Sequence, residues 1–318
     1  MKRNLAPMYL LVSLAFGAIL PVFYKQPYFY FASYIVLQYV ALSVAWNLLG
    51  GYGGYLNFGT SAFFGVGAYV SAYLFNSLGI PEVIAILAAG AVSALFGVLI
   101  GYSSLRLRGV YFAIATLAAT TLVQSIVLNT PALGSAVGLY IRFPAAPAIY
   151  GNLIELLFVA MFGISVVSIG LSYWIENSWI GRGLMALRDD EQAAETLGVP
   201  TFRLKLYANV LSGFLMGVVG SLYPLYIGYI EPYSIFDLGI SFNVFVMTFI
   251  GGIGTWQGPI IGALVLGSIQ QAASVTVTSQ YNLAVVAAAM LVFGIFSPGG
   301  LKGIFSRLFG KRSTGTVN

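Results

Sequence analysis

The chain has 318 residues, of which 59% are hydrophobic and only 7% charged, against about 25% charged in an average soluble domain. It contains no cysteine and no histidine, so disulfides, thiolate chemistry and imidazole acid–base or metal chemistry are excluded, and no metal site or catalytic residue is expected. The net charge of +5 is spread over loop positions and does not form a nucleic-acid surface.

Apolar runs close to the roughly 20 residues needed to cross a bilayer predict an all-α polytopic membrane protein, a single transmembrane domain over 1–318. Ten spans are expected in chain order: Leu5–Phe23, Tyr28–Leu49, Leu56–Leu78, Glu82–Tyr102, Val110–Leu128, Gly151–Trp174, Leu206–Tyr229, Ile240–Ile250, Pro259–Thr278 and Tyr281–Phe296. The opening Met1-Lys2-Arg3 and its apolar run read as a first span, because no small-residue cleavage site precedes Pro21. The eighth run is too short to cross alone and predicts a broken or re-entrant helix, which needs protein or water around it. With both termini on the cytoplasmic side, Lys2, Arg3, Arg106, Arg108, Arg182, Arg188, Arg203, Lys205, Lys302, Arg307, Lys311 and Arg312 fall inside, and only Lys25 and Arg142 outside. That asymmetry is the positive-inside pattern. The basic tail at 297–318 reads as a cytoplasmic topology anchor. Outside the membrane, Asn129–Tyr150, with Pro131, Pro144 and Pro147, and Ile230–Gly239, with Glu231, Pro232 and Asp237, offer the surfaces for an extracytoplasmic partner.

The stretch 181–205, GRGLMALRDDEQAAETLGVPTFRLK, holds eight of the 23 charged residues. Asp189 fits an N-cap, Asp190 and Glu191 suit the first turn of a helix dipole, and Gln192 completes a capping-box spacing. Gly198 and Pro200 end the helix. A body of roughly Asp190 to Leu197 is too short to be stable alone in water, so it must dock on something. Ala193, Ala194 and Leu197 share one face and are small enough for another backbone to approach.

No span centre carries Lys, Arg, Asp or Glu; Glu82 and Glu155 lie close enough to helix ends to reach the outer interface. This argues against proton or sodium coupling, which commonly places carboxylates at membrane depth. No G-x-x-x-x-G-K-[ST] occurs, so the chain does not bind ATP through a P-loop. The spans hold glycine and neutral polar groups instead. Gly50–Gly67, GGYGGYLNFGTSAFFGVG, brings Asn57, Thr60 and Ser61 together, with Asn47 ten residues earlier. Its glycines permit unwinding and exposed backbone groups. Gly251–Gly258, GGIGTWQG, echoes its start, and glycine interruptions in two halves point to a pathway between repeats. Small-residue helix packing is the better account of any single glycine, and the pathway reading is kept for Asn57–Ser61. Thr116, Thr120 and Gln124 lie on one face and line a polar seam, unless the threonines bond back to their own helix.

The octet EQAAETLG at Glu191–Gly198 resembles the E-A-A loop of ABC-importer permeases, which forms a coupling helix on an ATPase subunit. GYGGYLNFGTSAFFGVGAYVSAYL (Gly51–Leu74), RLRGVYFAIATL (Arg106–Leu117), GRGLMALRDDEQAAETLGV (Gly181–Val199), GVVGSLYPLYIGYIEP (Gly217–Pro232) and GGIGTWQGPIIGAL (Gly251–Leu264) together resemble the permeases of branched-chain amino acid ABC importers, in particular their M-type membrane subunit. The resemblance implies an all-helical fold of two related halves in the inner membrane, lying in membrane lipid. It also implies a homologous second permease, two cytoplasmic ATPases that bind ATP and Mg, an extracytoplasmic solute-binding protein, and no cofactor on this chain. It gives Asp189, Asp190, Glu191, Ala193, Ala194, Glu195, Leu197 and Gly198 to ATPase coupling; Asn47, Asn57, Thr60, Ser61, Thr116 and Thr120 are the candidates for the pathway.

Two places depart from the family pattern. Thr60 follows Gly59 where the family often has His, and Leu133–Gly138, LGSAVG, replaces a T-G-G-type stretch. The cargo read from the resemblance is a branched-chain or other hydrophobic amino acid; urea, a short amide or another small polar solute is the alternative within the same class. A stand-alone carrier or channel stands second and would transport without ATPases. A membrane-embedded enzyme stands third, since nothing in the chain offers acid–base or metal chemistry.

Overall fold

The computed structural model describes residues 26–141, 152–276 and 288. The expected spans Leu5–Phe23 and, apart from residue 288, Tyr281–Phe296, the tail 297–318, and Lys2, Arg3, Lys25, Arg142, Lys302, Arg307, Lys311 and Arg312 lie outside the described residues. Helices run in the order α1 (Pro27–Leu49), α2 (Thr60–Leu78), α3 (Glu82–Ser104), α4 (Val110–Leu128), α5 (Leu153–Asn177), α6 (Trp179–Asp189), α7 (Glu191–Thr196), α8 (Thr201–Ile227), α9 (Pro232–Ile235), α10 (Leu238–Gly251) and α11 (Gln257–Thr276). Local chemistry sets several ends. Pro27 sits at the start of α1, where its missing N–H costs nothing. Gly79 and Gly228 close α2 and α8 in the left-handed conformation.

Six helical stretches among the described residues are long and apolar enough to cross a membrane: Tyr28–Leu49, Glu82–Ser104, Val110–Leu128, Leu153–Asn177, Thr201–Ile227 and Pro232–Gly251. Helices α2 and α11 form where spans are expected, with 19 and 20 residues, but α2 starts at Thr60 rather than Leu56. Residues 50–59 are irregular, and most of them are buried. Non-helical backbone at such a place is tolerated because protein surrounds it. The short eighth run is extended by α9, so that Pro232–Gly251 reaches 20 residues. Glu155 departs from expectation: its side chain is buried beside Asn152, whose amide lies 3.4 Å from the carboxylate.

The 27-residue α8 is the hub, packed chiefly on α3 and α2, while α1 packs chiefly on α5. Close approach explains two glycines: a Cβ on Gly67 would collide with the backbone of Gly217, and one on Gly220 with that of Phe64. Polar side chains stitch the same contacts, with Ser71 donating to the Ser221 carbonyl (2.9 Å), Ser93 to Phe63 (3.0 Å) and Asn209 to Gly97 (2.7 Å). At the far end of α8 from α7, β1 (Leu139–Tyr140) pairs antiparallel with β2 (Tyr229–Ile230).

Candidate functional site: a docked short helix and a buried neutral seam

The short helix α7 docks on its own chain. Asp190, not Asp189, is its N-cap, accepting from the amides of Gln192 (2.9 Å) and Ala193 (3.0 Å). Asp189 is the last residue of α6 instead. The shift of one residue places Ala193, not Gln192, at the capping-box position, so no reciprocal box forms. The backbone amide of Gly198, with φ of 83°, donates to Glu195, and Thr201 donates to the Glu195 carboxylate at 2.6 Å.

Ala193, Ala194 and Leu197 do not share a free face. Ala194 is 3% exposed and belongs to the permease's own hydrophobic core, whereas Ala193 is exposed and Leu197 stands 84% exposed. A six-residue helix cannot hold itself, and the buried alanine is one of its two anchors. The other is Glu191. Its carboxylate meets Lys205 Nζ at 2.6 Å, Arg108 Nε at 3.2 Å and accepts from the Tyr55 hydroxyl at 2.9 Å. Lys205 is 4% exposed and donates further to Tyr55 (3.0 Å) and to the Leu105 carbonyl (3.2 Å). Burial pushes the Glu191 carboxyl up, but the hydrogen bonds from Lys205 and Tyr55 and the charges of Lys205 and Arg108 outweigh it and hold the carboxyl below its usual range. Sequence reasoning missed Lys205, Arg108 and Tyr55 as partners of this helix; they come from α8, the turn before α4 and the irregular stretch after α1.

The two glycine-rich stretches meet beside this anchor. Asn47 accepts from the Gly254 amide (3.0 Å) and donates to the Thr255 carbonyl (3.2 Å). Arg188, near the end of α6, donates to the Gly51 carbonyl at 2.9 Å. Gly54 and Gly254 both have positive φ, and a Cβ on either would strike the Arg188 side chain. Glu176 completes the junction by accepting from Tyr52 (3.0 Å) and the Trp256 amide (2.6 Å).

Deeper lies the neutral seam. Asn57, Thr60, Ser61, Thr116 and Thr120 are all buried, none more than 2% exposed. Asn57 Oδ1 accepts from the Gly59 amide at 2.8 Å, and its carbonyl accepts from the Trp46 indole at 2.6 Å. The Ser61 amide donates to Ser241 Oγ on α10 (3.0 Å), and the two hydroxyls lie 3.1 Å apart. Thr116 accepts from the Phe58 amide at 3.1 Å while donating back to Ala113 at 2.8 Å; Thr120 bonds back to Thr116 at 3.2 Å. Thr116 thus joins the seam, whereas the Thr120 hydroxyl serves its own helix. Asn47 is committed to the glycine junction. Ser241 is the member that sequence reasoning did not single out, since only folding brings it 180 positions back along the chain.

The profile of the family described as the branched-chain amino acid transport system permease component matches residues 28–294. The chain belongs to that family. The permease is 27% identical over 293 residues to the high-affinity branched-chain amino acid transport system permease protein LivM of Salmonella typhimurium, covering 84% of this chain and 68% of the relative. The Escherichia coli LivM matches at 26% over the same shares. A probable branched-chain amino acid transport permease protein LivH of Methanocaldococcus jannaschii is 27% identical over 222 residues, 66% of this permease and 69% of the relative. No solved structure matches it. The permease is therefore a multi-pass membrane protein and a component of a transport system rather than an enzyme.

Proposed function

We propose that this permease is one of two homologous transmembrane subunits of an ABC importer that carries a branched-chain or other hydrophobic amino acid across the inner membrane. Two cytoplasmic ATPases bind ATP and Mg and supply the energy, and an extracytoplasmic binding protein delivers the cargo. The observation that carries the reading is α7: a helix too short to stand alone is clamped to the bundle through Glu191 and Ala194, yet presents a bare Leu197. A clamped lever with an exposed apolar end transmits a push from a partner, which a solvated loop does not. Asp189, Asp190, Glu195 and Gly198 shape and cap that lever, and the seam at Asn57, Thr60, Ser61 and Thr116 forms part of the pathway.

The test is leucine uptake in proteoliposomes holding this permease with its copurifying permease, ATPases and binding protein. Uptake is expected to require ATP and all four components, and the chain alone is expected neither to hydrolyse ATP nor to accumulate leucine. Accumulation driven by a proton or sodium gradient in vesicles with this chain alone would refute the proposal. ATP-dependent uptake of urea or a short amide in place of leucine would keep the importer and replace the cargo.

A further inference from the structure

We infer that the first turn of α2 is a carboxylate-binding site, and that it receives the carboxylate end of an amino acid inside the permease. This rests on the importer reading and adds to it which end of the cargo is held and by which atoms. The first four amides of a helix have no partner within it. In α2 the amide of the N-cap Gly59 is taken by Asn57 Oδ1 and that of Ser61 by Ser241 Oγ, which leaves those of Thr60 and Ala62 without a partner among the described residues. A helix start carries partial positive charge, and α2 has 19 aligned residues behind it.

The independent observation lies in the side chains. Asn57 Nδ2 and Thr60 Oγ1 are buried, on residues at most 1% exposed, and neither has a hydrogen-bond partner among the described residues. Both residues adjoin that first turn: Asn57 holds the amide of Gly59, its N-cap, and Thr60 is its first residue. Leaving a buried donor unpaired is unfavourable, since it has given up water and gained no acceptor. Neighbouring polar groups are satisfied, with the Phe58 amide held by Thr116 and the Ser61 amide by Ser241. The unpaired groups belong to Asn57 and Thr60, which directly precede the two residues whose amides are held by hydroxyls from α4 and α10.

An amide N–H and a hydroxyl, next in the chain to main-chain N–H groups that have no partner among the described residues, suit an acceptor with two oxygens and a negative charge. The side chains that form this turn and its flanks (Asn57, Thr60, Ser61, Thr116 and Ser241) are all neutral, so the anion is held by dipoles alone. Such holding is weak enough to release, which a site inside a transporter must do.

Thr60→Val is the decisive variant because valine has the same shape without the hydroxyl. Removing an unpaired group leaves the fold no worse, so the unfolding midpoint in detergent is expected to be unchanged or slightly raised. Leucine uptake by the complete assembly is expected to fall about tenfold, the loss of one hydrogen bond to a charged group, and Thr60→Ser is expected to restore most of it. In the isolated permease, millimolar leucine is expected to raise the midpoint and leucinol, which lacks the carboxylate, is not. Thr60→Val is expected to abolish the leucine effect. Native uptake by Thr60→Val, or equal shifts with leucine and leucinol, would overturn the inference. So would a midpoint several degrees lower in Thr60→Val, which would mean that the hydroxyl holds a structural water. A native assembly that takes up no leucine refutes the importer reading instead, and the leucine–leucinol comparison still decides the site.

Discussion

Glu191→Ala removes the acidic partner of a lysine that is 4% exposed. Lys205 would then keep only the Tyr55 hydroxyl and the Leu105 carbonyl as neutral acceptors. Breaking a buried pair by deleting one partner costs roughly 3–5 kcal/mol, because the surviving charge is left uncompensated. The converse change is milder. In Lys205→Met the Glu191 carboxylate, 13% exposed, keeps Arg108 and Tyr55, and the cost falls to about 1–3 kcal/mol. The Arg108 link adds little, since that side chain is 54% exposed. The double variant is expected to be less destabilised than the two singles added together, with a coupling of roughly 0.5–3 kcal/mol. At about 2 °C per kcal/mol for a chain of this size, Glu191→Ala lowers the thermal midpoint in detergent by about 6–10 °C. Differential scanning fluorimetry of native, single and double variants reads all four values. A Glu191→Ala midpoint within about 2 °C of native, or strictly additive effects, would refute the account of how α7 is held.

The same network carries a pH dependence with a definite sign. Because the native Glu191 carboxyl lies below its ordinary value, its stabilisation is complete above that ordinary value, about 4.3, and is lost as pH falls through the lowered native one. Midpoints measured from pH 7 down to 3 are expected to fall more steeply for the native protein than for Glu191→Gln; parallel curves would count against it. Leu197→Asp changes a residue that is 84% exposed, so the midpoint should stay within about 0.5 kcal/mol of native stability while ATPase copurification fails. Ala194→Trp instead overfills the permease's own core and is expected to lower the midpoint itself; full stability in that variant would place Ala194 on a free face. Gly67→Val drives a branched side chain into the Gly217 backbone, and a loss of at least ~1–3 kcal/mol is expected, read as reduced yield of folded protein.

Composition alone determined that this is a helical membrane protein, because a bilayer leaves no alternative for long uncharged runs. The charged stretch around 181–205 likewise announced a short docked helix through its capping residues and stop signals. Those signals are local, and local chemistry is readable residue by residue. What they did not contain is direction. A one-residue shift of the cap from Asp189 to Asp190 accompanied a different set of faces, burying Ala194 and baring Leu197. Choosing between those registers needed the shape of the surface beneath, which α8 and the stretch after α1 supply together. The partners of Glu191 show the same limit: Lys205, Arg108 and Tyr55 lie 14, 83 and 136 positions away, and no spacing rule connects them. Gly50–Gly67 was legible as unusual from its glycines, but whether each glycine served packing or unwinding was decided in three dimensions. Gly67 packs against the backbone of Gly217, while Gly59 precedes a helix whose first turn has donors without a partner among the described residues. Propensity reports what a residue permits; only the neighbour that folding brings to it determines which permission is used.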